Sequence, residues 1–286
     1  MTNEQWSFGG DLPVNRVGYG TMRLTGWPQG NRPERDTALA VLRRAVELGV
    51  NHLDTSYYYA RDGVSANELI KAALHPYPQD LVLVTKVGAL VEGDDIAKPA
   101  AEHDGLTPDG LRRGIEANLR SLGVDRIDVV NLRMGDRGHD GSAFEPALET
   151  LMALRAEGLI RHLGISNVTR AEFDRARRVA DIVCVQNLYN IADRGDDPLI
   201  DACAAAGVAY VPFFPVGGGF RPLAAERLSA VAERLGVAVQ QVALAWLLAR
   251  SPNVVLIPGT GSLAHLEENL AAARLRLTEK DLAELG

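Results

Sequence analysis

The stretch Val50-Asn51-His52-Leu53-Asp54-Thr55-Ser56-Tyr57-Tyr58-Tyr59 decides the fold. Its first half is short and largely apolar and follows Gly49, which suits a turn from helix into strand. Its second half breaks into hydroxyl-bearing and aromatic residues. The pattern predicts a buried strand over 50–54 running out into a loop. Leu81-Val82-Leu83-Val84-Thr85-Lys86 repeats it, an apolar run with a cation at its C-terminal end.

The same short runs recur along the chain, and strands are expected at 16–19, 50–54, 81–86, 127–132, 161–165, 182–186, 209–213 and 254–257. Between them apolar residues recur every three to four positions, as in Ala38-Val41-Leu42-Ala45-Val46 and Leu148-Leu151-Leu154-Leu159. Thr107-Pro108-Asp109 opens a helix that Gly123 closes, and Glu145-Pro146 opens one that Gly158 closes. Gly207 marks another helix-to-strand turn. Such alternation predicts an α/β chain, a single (β/α)8 TIM barrel over residues 1–286. Phe8-Gly9-Gly10-Asp11-Leu12-Pro13-Val14 reads as a short N-terminal β-hairpin under the barrel. An open doubly wound sheet competes, but the first strand ends in Gly18-Tyr19-Gly20-Thr21-Met22, without the third glycine of a dinucleotide turn.

With 286 residues, 47% of them hydrophobic, the chain can fill such a core. The net charge of −7, with scattered basic residues, recommends neither nucleic acid nor an anionic membrane as partner. No basic-then-apolar leader is visible, the apolar run 242–249 is too short to span a bilayer, and Cys184 and Cys203 read as buried, reduced thiols. A cytoplasmic monomer is expected.

In a barrel the chemistry lies at the C-terminal strand ends. Here these are Gly20-Thr21-Met22, Asp54 to Tyr59, Lys86, Asn131 and Arg133, Ser166-Asn167, Gln186-Asn187, Phe213-Phe214-Pro215 with Gly217-Gly218-Gly219, and Gly259-Thr260-Gly261-Ser262. Amides, hydroxyls, glycines and rings of this kind suit an extended ligand with phosphates and an aromatic head. A glycine-rich turn entering a helix offers N–H groups to an anion; the same glycines also serve simply to turn the chain, and Asn167 to cap the helix at Thr169-Arg170. Asp54, Tyr59 and Lys86 would meet on this rim. An ammonium beside a phenol favours the phenolate and a carboxylate holds the ammonium, so Tyr59 could donate a proton near neutral pH. The plainer alternative is a rim ion pair beside a packing tyrosine.

These motifs resemble the aldo-keto reductase family over essentially the whole chain. Asp54-Thr55-Ser56-x-x-Tyr59, Val84-Thr85-Lys86, Gly164-Ile165-Ser166-Asn167, Ile257-Pro258-Gly259-Thr260 and Glu267-Glu268-Asn269 carry the resemblance. Within it, Asp128-Val129-Val130-Asn131-Leu132-Arg133, residues 185–191 and Val211-Pro212-Phe213-Phe214-Pro215 look like a bacterial pyridoxal reductase branch. The resemblance implies metal-free reduction of an aldehyde, pyridoxal to pyridoxine in the first place, with NADPH. Tyr59 would be the general acid, Lys86 would lower its pKa and Asp54 would hold Lys86. Ser166, Asn167 and Gln186 would hold the nicotinamide carboxamide, and Phe213 would stack on the ring. Gly217 and Gly219 would let backbone approach the pyrophosphate, and Thr260, Ser262, His265, Glu268 and Asn269 match the adenosine end. Gly20, Thr21, Met22, Phe214, Pro215, Val216, Pro258 and Gly259 fall in the same cofactor segments.

The chain departs from the family in two respects. Its usual histidine, five residues beyond Asp128, is Arg133 here. An arginine stays protonated, so it cannot relay a proton, but it can favour the phenolate and orient an electron-rich substrate such as pyridoxal; the alternative is a rim arginine paired with Asp136 or another acid. Relatives that place a Lys or Arg against the adenosine 2′-phosphate have Gly259 and His265 as counterparts here. Thr260, Ser262 and backbone N–H groups are then expected to hold the phosphate, and NADPH is expected over NADH. Trp27 is expected at the substrate mouth or packed in its loop, and loop 135–142 over the site. His52 should pack, and His75, His103, His139 and His162 lack metal-ligand companions. Two further readings use the same barrel: a Schiff-base lysine aldolase on Lys86, and a non-catalytic nucleotide-binding subunit that reports redox state.

Overall fold

Trp6-Ser7-Phe8 and Leu12-Pro13-Val14 face each other in an antiparallel hairpin, β1 (Gln5–Phe8) with β2 (Leu12–Asn15). The computed structural model describes residues 5–27, 30–88, 104–135, 141–217 and 225–286. After the hairpin come the parallel strands β3 (Tyr19–Gly20), β4 (His52–Asp54), β7 (Val82–Val87), β8 (Ile127–Arg133), β9 (Ile160–Ser166), β10 (Ile182–Gln186) and β11 (Ala209–Tyr210), hydrogen-bonded in that order. Residues 254–257 close the ring: Val254 bridges Tyr210 and Leu256 bridges Val17, both in parallel. The result is the expected (β/α)8 barrel.

The strands hold because they are buried on both faces. Val82, Val84, Val129, Val183 and Val255 form one apolar cluster with Phe8, Leu12 and Val14, so the hairpin plugs the N-terminal end of the barrel. At the hairpin turn Asp11 accepts from His162 at 2.7 Å and Arg161 at 2.8 Å, both on β9. His52 is buried as expected, its ring edge-on to Phe8. Arg16, just before β3, donates to the carbonyl of Leu248 near the end of the helix Val239–Arg250 and to those of Ser251 and Val254 beyond it.

Outside the ring, α1 (Arg35–Glu47) buries Ala38, Val41, Leu42 and Ala45, and α4 (Phe144–Ala156) buries Leu148, Leu151 and Leu154, the spacing read from the sequence. α3 (Pro108–Leu122) starts on Thr107, whose hydroxyl accepts from the Gly110 N–H at 3.1 Å, and stops at Gly123 in the left-handed region. α5 (Arg170–Val179) begins in a capping box between Thr169 and Glu172. Thr169→Ala should lower stability by about 1 kcal/mol, the usual value of such a cap; a denaturant midpoint shift with unchanged slope measures it.

One strand expectation needs correction. Regular pairing of 209–213 stops at Tyr210, although Val211 still donates to Val185 at 2.8 Å and Phe213 bridges Leu188. Pro212 has no N–H to continue the ladder. A hairpin absent from the sequence reading, β5 (Ala60–Arg61) with β6 (Val64–Ser65), follows Tyr59. Asp62 and Gly63 both take positive φ there, the two-residue turn that an Asp-Gly pair favours. It leads into α2 (Ala66–Leu74). Among the described residues no single helix is long and apolar enough to cross a membrane.

Candidate active site

Side chains alternate along a strand, so Lys86 shares the inward face of β7 with Val82 and Val84. It is the last of that row and stands at the barrel's C-terminal mouth. Asp54 ends β4 and pairs with Val84 in register, which brings the two charges together. Lys86 Nζ donates to Asp54 Oδ1 at 2.6 Å and to the Thr55 carbonyl at 3.2 Å. Gln186 Nε2 donates to the other carboxylate oxygen at 2.9 Å. The pair is 3–4% exposed. Tyr59, on the loop leaving β4, lays its ring 5.1 Å from Lys86 Nζ, close enough for a cation–π attraction.

The electrostatics differ from the sequence expectation. Burial pushes the Tyr59 phenol well above its usual value, the Asp54 carboxylate pushes the same way, and Arg133 opposes both. The Tyr58 phenol is pushed up to about 12 by burial and by Tyr59, against Arg133 and Lys86. The lowering expected from Lys86 is therefore not what governs Tyr59. Its ammonium is already neutralised by Asp54, and losing water at the phenol outweighs it.

Behind these charges lies a buried amide network that the sequence reading missed. Thr55 Oγ1 donates to Asn67 Oδ1 at 2.7 Å, Asn67 Nδ2 to Asn118 Oδ1 at 3.1 Å, and Thr85 Oγ1 to Asn118 Oδ1 at 2.6 Å. Asn67 sits on α2 and Asn118 on α3, so two helices fix the strand ends that carry Asp54 and Lys86. A three-to-four-residue pattern interrupted by asparagine on its apolar face was the available signal.

The rim opens into a cleft of about 1000 Å³. Asp54, Tyr59, Lys86, Arg133, Ser166, Asn167, Gln186 and Trp27 line it together, with Gly20, Met22, Phe213, Phe214, Pro215, Val216, Gly259, Thr260, Ser262 and His265. Thr21 is buried behind it, donating to the Asp54 carbonyl at 3.1 Å. Pro258, Gly217 and Asn269 lie outside the lining, Glu268 is exposed, and Gly219, Asp136 and most of loop 135–142 lie outside the described residues. Asn131 is not a rim group. It is fully buried and accepts from the Cys184 thiol at 3.3 Å. Asn167 does not cap α5; in the left-handed region, it donates to the carbonyls of Met134 and Gly135.

Trp27 packs with Tyr58 and Tyr59, ring centroids 6.4 and 5.6 Å away, which makes one wall of the cleft aromatic. At the opposite arm backbones meet closely: a Cβ on Gly259 would stand 2.4 Å from the Gly20 carbonyl oxygen. Ser262 caps α9 (Leu263–Ala271), accepting from the His265 N–H at 3.4 Å. Gln186 Oε1 is buried without a hydrogen-bond partner, an acceptor suited to an amide N–H. Cleft residues that sequence reasoning missed include Arg23, Asn31, Arg32, Pro33, Leu188 and Gln240. Among the described residues no three His, Cys, Asp or Glu side chains come together to hold a metal ion.

The family model for the aldo/keto reductases matches residues 16–286. Pyridoxine 4-dehydrogenase of Escherichia coli (strain K12) is 50% identical over 281 residues, 96% of this chain and 95% of that one. An uncharacterized oxidoreductase of Schizosaccharomyces pombe is 35% identical, over 96% of this chain and 87% of its own. A thermostable aldo-keto reductase solved in complex with the inhibitor epalrestat is similar in fold, with a TM-score of 0.82 at 30% identity over 98% of each chain. An aldo-keto reductase from Klebsiella pneumoniae solved in complex with NADPH has a TM-score of 0.80 at 27% identity, over 100% of this chain and 94% of its own.

Proposed function

The chain belongs to the aldo/keto reductase family, and from that premise we propose that it reduces an aldehyde with NADPH, pyridoxal to pyridoxine being the leading reaction and Tyr59 the proton donor. The observation that carries this reading is the buried Lys86–Asp54 pair at 2.6 Å with the Tyr59 ring beside Nζ, in a cleft of about 1000 Å³ that Thr260, Ser262 and His265 also line. The groove also fits the cofactor chemically. Gln186 Oε1 is a buried acceptor suited to an amide, Ser166 and Asn167 stand on the same rim, Phe213 offers a ring, and Gly20, Gly259, Thr260 and Ser262 line the other arm. The reduced nicotinamide, when bound, supplies the hydride.

The protein's part is the proton. A phenol held above its usual pKa stays protonated at neutral pH, the form a donor needs. It gives that proton up only as charge gathers on the carbonyl oxygen, when Arg133 favours the phenolate left behind. Asp54, which accepts from Gln186, holds Lys86 beside the ring. Because Nζ is already engaged by Asp54 and by the Thr55 carbonyl, it is poorly placed to attack a carbonyl as a Schiff-base aldolase requires, so the reductase reading is preferred. Comparing kcat/KM for pyridoxal with NADPH and with NADH tests the cofactor and substrate together; no turnover of pyridoxal, or a clear NADH preference, overturns that part.

Arg133, the last residue of β8, faces both phenols of the site. Its fixed charge suits a substrate with a phenolic oxygen beside the aldehyde, as in pyridoxal, and the Trp27–Tyr58 wall suits a flat ring. Arg133→Ala should raise KM for pyridoxal by about tenfold or more, and much less for benzaldehyde. Equal losses on the two would remove the selectivity role.

A further inference from the structure

We propose that Arg23 and Arg32 form a clamp for the phosphates on the adenosine half of the cofactor, the arm of the groove to which the sequence motifs assign no arginine or lysine; the inference rests on the NADPH reading above. A phosphorylated dinucleotide brings several negative charges into the cleft. Lys86 and Arg133 serve the catalytic end, where Asp54 already neutralises Lys86. The cofactor loop cannot carry a cation at its glycines, because a Cβ on Gly259 would meet the Gly20 carbonyl oxygen at 2.4 Å and one on Gly261 would meet Pro33 at 2.9 Å.

The segment after β3 fills that gap. Arg23 lies in the short turn Met22–Thr25. Its Cγ is 3.7 Å from the point a Gly259 Cβ would occupy, and its Nη2 is 2.8 Å from the equivalent point on Gly30. The side chain thus reaches from the cofactor loop to the facing loop. Pro33 seats on Gly261, which sets the adjacent Arg32 on the other flank. Arg32 holds the carbonyls of Arg61 and Asp62 only by long bonds, 3.4 and 3.5 Å from one nitrogen, and a guanidinium has five N–H donors. Arg61 braces the same loop through the Gly26 and Gly30 carbonyls at 3.0 and 3.3 Å. Arg23 and Arg32 both line the cleft, with Thr260 and Ser262. A planar fork of donors matches phosphate oxygens.

The test is calorimetric binding of NADPH, NADH and adenosine 2′,5′-bisphosphate to the wild type, Arg23→Met, Arg32→Met and the double variant, with melting temperatures recorded. Methionine keeps the stem that packs on Gly259 and removes the charge. Each single change is expected to raise the Kd for NADPH about tenfold or more and to flatten its salt dependence, with Arg23→Lys recovering part of the loss. A loss confined to NADPH and the bisphosphate places the clamp on the 2′-phosphate; an equal loss with NADH places it on the pyrophosphate, and either supports it. A folded double variant that binds NADPH with the wild-type Kd overturns the clamp. A wild type that does not bind NADPH overturns the cofactor reading instead, so the two failures are distinct.

Discussion

Tyr59→Phe is expected to lower kcat for aldehyde reduction by about 100- to 10,000-fold, the usual worth of a positioned proton donor, while the Kd for NADPH and the melting temperature stay close to wild type. The ring survives the change, so its packing on Trp27 and its place over Lys86 are kept. Only the hydroxyl is lost. A variant with a tenth or more of wild-type kcat would remove Tyr59 from the proton step. The raised phenol also fixes the sign of the pH dependence. Reduction consumes the protonated form, so this group should give no falling limb up to about pH 9, below the ordinary tyrosine value of about 10. Alcohol oxidation needs the phenolate and should speed up with rising pH. A reduction profile that falls through neutrality would mean that the site lowers this pKa after all.

Asp54→Ala carries the second large effect, on stability as well as rate. It strands a buried ammonium and frees the Gln186 amide, and a broken buried pair costs about 3–5 kcal/mol. In a chain of this size that is a melting temperature lower by on the order of 10 °C. The double change Asp54→Leu with Lys86→Met should recover most of the stability, since no unpaired charge remains, and none of the activity. Thermal melts and turnover on the same samples separate the two roles. Recovery of turnover in the double variant would show that the pair is structural only.

The barrel and its rim were legible because burial on both faces leaves a plain signature. Runs such as 81–86 and 182–186 read as strands without any partner in view, and their polar terminal residues then had to lie at one end. Where pairing depends on a neighbour the reading blurred: Pro212 cut one strand short, and 254–257 closes the ring through single bridges. Asn131 looked like a rim group because a strand end was placed one residue early. β8 runs on to Arg133, which leaves Asn131 two residues inside. The Asp62-Gly63 turn was legible and was overlooked. Arg23 and Arg32 were not, since the segment around them has no period and its path is set by Pro33 and Arg61 docking on distant parts of the chain. The pKa of Tyr59 was beyond reach for a related reason. Spacing brought an ammonium near a phenol, but its sign depended on how much water the fold removed.

The contact between Gly20 and Gly259 has a bearing beyond room for phosphates. It lies on the border where the barrel's first and last strands join, alongside the bond from Arg16 to Val254, residues 238 positions apart. Joining such distant segments carries the largest chain-closure entropy of any border in the ring. A dinucleotide laid across it would act as a stitch, adding about 2.7 kcal/mol to the folded state at a hundred times its Kd. The barrel would then be fastened by a bound coenzyme at the border that joins its most distant segments.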